Sequence, residues 1–216
     1  MIFLRLIRKY KHGFTILIFG IIYMFCFALL EDRSVENLHI ISAPLNDAIP
    51  FCEYFVVPYV FWFVYMFVAI LFFIFINPDK REYYQMFFSL ASGMTLFLIV
   101  SYVYPNGLNI RPAEFANDNI FTDVVQLLYR HDTPTNVLPS IHVFNSLCIH
   151  LALANSKMLR QDRWLKWASL ILTLAIIAST LFLKQHSLID VITGIILCMI
   201  TYFIFYKSSL VSRLPS

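Results

Sequence analysis

Charge is what this sequence has least of. Asp, Glu, Lys and Arg make up 13% of its 216 residues, where soluble domains carry about 25%. Hydrophobic residues account for 60%, Phe alone occurs 22 times, and the mean hydropathy is +0.73. A soluble globular domain is excluded, and an integral membrane protein remains. The net charge of +3 is small and scattered over the connections between apolar runs, with no basic footprint for nucleic acid. Cysteine is scarce as well. Cys26, Cys52, Cys148 and Cys198 form no C-x-x-C pair, and all but Cys52 lie inside apolar runs. They read as small apolar residues, not as disulfide partners or metal ligands. Internal repeats, low-complexity tracts and flexible linkers are missing too, so residues 1–216 read as a single membrane domain.

What is present is a series of apolar runs: Phe14–Leu30, Tyr54–Ile76, Met86–Val103, Ser140–Asn155, Trp164–Leu183 and Ser187–Tyr206. Most have the ~17–25 residues a helix needs to cross hydrocarbon. Barrel strands would alternate polar and apolar residues, and these runs do not. The expected fold class is all-α, a polytopic six-transmembrane-helix bundle. The first run follows Arg5, Arg8, Lys9 and Lys11, as a signal peptide would. It ends in "FCFALLEDRS" without a small-x-small cleavage pattern, so it counts as a first span. The fourth run is short and carries Asn145, Ser146 and His150, which places it inside the bundle.

Orientation follows from Lys and Arg. With the N-terminus inside, internal segments hold Arg5, Arg8, Lys9, Lys11, Lys80, Arg81, Lys157, Arg160, Arg163, Lys166, Lys207 and Arg213. External segments hold Arg33, Arg111, Arg130 and Lys184. This asymmetry predicts both termini in the cytoplasm. It also makes Tyr104–Leu138 a long external loop. The expected location is the plasma membrane.

Polar residues then gather at the external face from three regions of sequence. His142 opens the fourth span in "NVLPSIHVFNS". Lys184 and His186 fill the brief turn in "LKQHSLIDVITG", with Asp190 one helical turn further on. Arg111 precedes Pro112 in the long loop. His186 and Asp190 are four apart, so on a helix they share a face. A carboxylate there orients the imidazole and leaves its other nitrogen basic. Taken alone, the pair is more often an interfacial ion pair anchoring a helix end. Pro139 suits the first position of a helix, which would leave the amides of Ser140, Ile141 and His142 free to meet a phosphate. His142 beside that anion is placed to protonate a leaving oxygen; on this stretch alone it is equally a capping histidine. Arg111 offers a bidentate cation, although lone loop arginines are usually solvated. His150 reads as a satisfied buried histidine before a supporting role at the site, His131 and Asp132 as a turn before a part in closing the site, and His12 and His39 as interface or loop residues. The constellation as a whole is an inventory for metal-free phosphoryl transfer.

These stretches resemble the type 2 phosphatidic acid phosphatase (PAP2) superfamily, whose pattern is K-x6-R-P, then P-S-G-H, then S-R-x5-H-x3-D. "YPNGLNIRP" (Tyr104 to Pro112) is similar to the first motif at Arg-Pro. "PSIH" (Pro139 to His142) is similar to the second except for Ile141. Ser179 to Asp190 is similar to the third in Ser, His and Asp. The motifs fall within residues 104–194. Tyr104 stands at the motif-one lysine and Thr180 at the motif-three arginine, and losing both cations weakens phosphate binding unless something replaces them. Lys184 is the residue expected to compensate in part. The resemblance implies a nucleophilic His186 that becomes a phosphohistidine, held by Asp190, with His142 as the acid. Arg111, Ser140, Ser179, Thr180 and Lys184 are the implied phosphate contacts. It implies no metal and no cofactor, and it implies an outer-leaflet lipid substrate.

The first expectation is a lipid phosphatase acting on a phospholipid or polyprenyl phosphate. The departures are also similar to the divergent branch with sphingomyelin and inositol phosphorylceramide synthases, which implies phosphotransfer to a lipid alcohol. A non-catalytic lipid-binding or transport protein is a further reading, disfavoured by the absence of repeats and paired broken helices. A zinc site from His142, His186 and Asp190 is ranked below these, because the neighbouring cations suit an anion.

Overall fold

The computed structural model describes residues 9–33 and 37–208. Arg5, Arg8 and Arg213, which carry part of the expected charge asymmetry, lie outside the described residues. The helices are α1 (Gly13–Glu31), α2 (Val56–Leu71), α3 (Lys80–Val103), α4 (Ile120–His131), α5 (Ile141–Asn155), α6 (Arg163–Phe182) and α7 (Leu188–Tyr202). Wider π-type turns extend α2 over Phe72–Ile76 and α7 over Phe203–Lys207. A two-residue strand β1 (His39–Ile40) pairs in parallel with β2 (Asn106–Gly107).

Five of these segments are long and apolar enough to cross a membrane: Gly13–Glu31, Glu53–Ile76, Lys80–Val103, Arg163–Phe182 and Leu188–Lys207. The chain is thus an all-α, multi-pass membrane protein by the length and composition of its helices. The expected fourth span, α5, is the exception. Its 15 residues rise about 22 Å at 1.5 Å each, short of the ~30 Å hydrocarbon core. It is instead the hub of the bundle, packed against α2, α3, α6 and α7, which is why its polar side chains are tolerated. The outer faces carry large exposed apolar chains, among them Ile21 and Phe25 on α1, Phe63 and Phe67 on α2, and Ile196 and Met199 on α7. Helices this apolar all round belong in hydrocarbon.

Local chemistry sets the helix starts. Asp79 caps α3, accepting from the Arg81 amide at 3.0 Å. Ser187 caps α7, with Asp190 completing a capping box. α4 corrects the reading of 104–138 as loop. Its own box, Asn119 with Thr122, is a start signal visible in sequence. It buries Val125 against Val56, Tyr59 and Leu183.

The main core joins α2, α3, α5 and α7 through Phe73, Tyr83, Met86, Leu90, Phe144, Ile149 and Leu197. Cys148 and Cys198 belong to it as free thiols, Sγ to Sγ 3.6 Å apart. At the end of the bundle away from His142, Glu82 accepts from Asn77 Nδ2 at 2.7 Å and the Lys157 amide at 2.9 Å, tying α2, α3 and α5 together. α3 and α5 meet closely at Gly93, where a Cβ would lie 2.0 Å from Phe144 Cζ. Phe144 is fully buried and has no space to retreat into. Gly93→Ala should therefore destabilise the bundle by about 1–3 kcal/mol, read as a lowered unfolding midpoint in detergent. An unchanged midpoint would mean the ring adapts freely.

Candidate active site

The site is built where the first turns of α5 and α7 meet. Asp190, fully buried, accepts from the Ser187 amide through Oδ2 at 2.7 Å. This satisfies one of the unpaired donors that every helix start exposes. His186 precedes the Ser187 cap and so lies outside the helix. The expected pairing along one helix face is instead a pairing across the cap, with His186 Nδ1 3.6 Å from Asp190 Oδ2. The backbone of His186 is fixed from α6, since the amides of Gln185 and His186 both donate to the Thr180 carbonyl at 2.9 and 3.0 Å.

The approach to α5 is set by buried Asn106. Its Oδ1 accepts from the amides of Val137 and Leu138, both at 2.9 Å. Asn136 adopts a left-handed conformation, φ 53°, which asparagine tolerates better than most residues. Pro139 was expected at the first helical position, but the cap is Ser140 and the helix begins at Ile141. The Ser140 amide is not free, because it donates to the Asp190 carbonyl at 3.1 Å. First-turn donors are therefore left at Ile141 and His142 only. Gly194 lets α7 come this close: a Cβ there would sit 2.8 Å from the Ser140 carbonyl.

The two helix starts bring the histidines together, with His186 Nε2 3.4 Å from His142 Nδ1. Both are buried. Tyr59 and Trp62 of α2 flank the His142 ring, with centroids at 4.7 and 4.5 Å. The Tyr59 hydroxyl donates to Asp132 Oδ2 at 2.7 Å, so Asp132, expected in a turn first and as part of the site second, braces the site. Arg111 donates to the Asp132 carbonyl at 2.6 Å, to the Tyr129 carbonyl at 3.3 Å and to Gln185 Oε1. Its guanidinium also lies over the Tyr129 ring, 4.3 Å from the centroid. Burial pushes the Tyr129 phenol up to about 12, so it remains neutral beside this cation.

His142, His186, Asp190, Arg111 and Ser140 are thus brought together. Three other expected phosphate contacts are not. Ser179 and Thr180 return their hydroxyls to their own helix, at the Ile176 carbonyl (2.6 Å) and the Ile177 carbonyl (2.8 Å). Lys184, left-handed at φ 53°, points its ammonium at the carbonyls of Asn46 and Ile49, and burial lowers its pKa. His150 lies deeper, with Nδ1 3.0 Å from Ser169 Oγ. The sequence reading missed Tyr59, Trp62 and Gln185, and also Asn46. Of these, only Gln185 had a signal, its place beside His186. Asn46 secures the 44–50 segment to α7, donating to Ser187 Oγ at 3.0 Å and accepting from the Leu188 amide at 3.1 Å.

A family model described as the PAP2 superfamily matches residues 87–213. That is more than half of the chain, and the chain belongs to this superfamily. No curated protein and no solved structure matches it. The matched span holds Arg111, His142, His186 and Asp190. Asn46, Tyr59 and Trp62, which cover the histidines and the cap, come from outside it.

Asn46→Ala should leave buried partners unsatisfied and cost about 1–3 kcal/mol. Faster hydrogen exchange at the Leu188 amide would report the loosened segment. Wild-type exchange at that amide would show that Lys184 alone holds it.

Proposed function

We propose that this protein is a membrane lipid phosphatase that works through a phosphohistidine, with its site at the external face and both termini in the cytoplasm. The observation that carries the reading is the His142–His186–Asp190 arrangement: two imidazoles in contact, one of them backed by a buried carboxylate. In this scheme Asp190 accepts from Nδ1–H of His186 and keeps the lone pair on Nε2. Nε2 attacks phosphorus, the P–N bond forms, and the P–O bond to the lipid alcohol breaks. His142 gives its proton to the departing oxygen. Water then attacks the phosphohistidine, His142 takes up its proton, and inorganic phosphate leaves with His186 restored. Arg111 holds phosphate oxygens throughout.

A lipid substrate suits the position of the histidines, at helix starts between apolar faces. The phosphate stops at that depth while the hydrocarbon stays in the bilayer. The same intermediate would pass to a lipid alcohol in the phosphotransferase reading, and the distinction is the acceptor.

The test is phosphate release from phospholipids and polyprenyl phosphates by purified protein in detergent with EDTA present. Release should survive EDTA and vanish in His186→Ala. In the phosphohistidine-forming step, read as single-turnover release of the alcohol, His142→Ala should lose about a hundredfold to ten-thousandfold with an alkyl phosphate, and much less with p-nitrophenyl phosphate, whose leaving group needs no proton. Equal losses on both substrates would sink the acid role of His142. Release only on adding an acceptor lipid, as a new phospholipid, would replace hydrolysis by transfer.

A further inference from the structure

The family pattern supplies cations at two positions where this chain has none, and the structure narrows what replaces them. Tyr104 stacks on His39, with centroids 4.2 Å apart, and the Thr180 hydroxyl is bonded within α6. Lys184 is turned to the 44–50 segment. Among the described residues Arg111 is a cation linked to the histidines, through Gln185 on one side and through Asp132 and Tyr59 on the other.

Those connections close on themselves. His186 meets His142 at 3.4 Å, His142 lies on the Tyr59 ring, and Tyr59 donates to Asp132. Arg111 in turn donates to the Asp132 carbonyl and to Gln185 Oε1, and Gln185 is joined to His186 by the chain. Within this circuit two donors on directly bonded residues are buried without a partner, Arg111 Nε and Gln185 Nε2. Gln185 is 3% exposed, so bulk water does not reach its amide. An unpaired buried donor costs about 1–3 kcal/mol, and folded proteins retain few of them. Two such donors on residues hydrogen-bonded to each other, one of them adjacent in the chain to His186, match an acceptor that offers several oxygens.

We propose that the Gln185 carboxamide is the second phosphate donor of this site. Its Nε2–H binds a non-bridging phosphate oxygen beside Arg111, so that a neutral donor stands in for the missing cation. The inference rests on the phosphoryl-transfer reading above. It gives the site one full charge and one directed amide, with Gln185 Oε1 also fixing the guanidinium.

Gln185→Leu removes donor and acceptor without adding charge, and Gln185→Glu keeps an acceptor for Arg111 while removing the donor and setting a carboxylate beside the phosphate. Binding of inorganic phosphate to the purified full-length protein, followed by calorimetry, is measured together with p-nitrophenyl phosphate turnover and the unfolding midpoint. Gln185→Glu should weaken phosphate binding at least about tenfold and lower kcat about a hundredfold, in line with loss of one oxyanion donor, at an unchanged midpoint. Wild-type phosphate affinity in both Gln185→Glu and Gln185→Leu would overturn the proposal. So would a Gln185→Leu loss that Gln185→Glu fully restores, since Gln185 would then only hold Arg111. Wild-type protein that neither binds phosphate nor turns over substrate would instead remove the phosphoryl-transfer reading itself.

Discussion

The Asp190 carboxylate lies fully buried in the first turn of α7, and the placement of both histidines depends on how that group is met. A carboxylate at this depth is costly unless hydrogen bonds and favourable dipoles surround it. The helix start supplies both, through the Ser187 amide at 2.7 Å and the positive end of the helix dipole. The same residue binds α5 with its main chain, the Asp190 carbonyl accepting from Ser140. One residue therefore lies beside His186 with its side chain, 3.6 Å from Nδ1, and sets the height of His142 through its backbone. Gly194 makes this possible, because a larger residue would push the Ser140 carbonyl away.

Around that junction, α2 and the connecting segments form a cover. Tyr59 and Trp62 lay aromatic surface on His142, and Tyr59 ends on Asp132. Asn46 and Lys184 hold the 44–50 segment against the start of α7. Excluding water strengthens every electrostatic contact inside. It also raises the cost of leaving a donor unpaired, which makes the free N–H groups of Arg111 and Gln185 informative. A surface arginine with the same bonds would carry no such implication.

The hub position of α5 reconciles the chemistry with the membrane. Nine of its fifteen residues are buried, including Asn145 and Ser146. The longer helices around it take the contact with lipid, exposing Phe, Ile and Leu. A short helix screened in this way can begin within the bundle, so its first-turn donors face a site and not hydrocarbon.

Much of this was readable from residues in order. Apolar runs located the helices, since burial in hydrocarbon acts on each residue by its own polarity. Ser187 with Asp190 marked the start of α7, and the spacing of His142, His186 and Asp190 with Arg-Pro at 111–112 carried the family. The α4 helix is legible in Asn119 and Thr122, although its stretch is too polar to resemble a span. Other features were not legible at all. Lys184 has the right charge two residues from His186, yet its left-handed backbone turns it to Asn46. Ser179 and Thr180 sit in the motif, yet their hydroxyls bond within α6. Tyr59 and Asn46 lie far from the motifs in sequence and reach the site only because α2 and the 44–50 segment pack there. Sequence by itself determined which segments are helical and which residues carry reactive groups, because polarity and capping are local. Tertiary structure decided which donors face one another, because a hydrogen bond depends on direction and on neighbours that the chain brings from elsewhere.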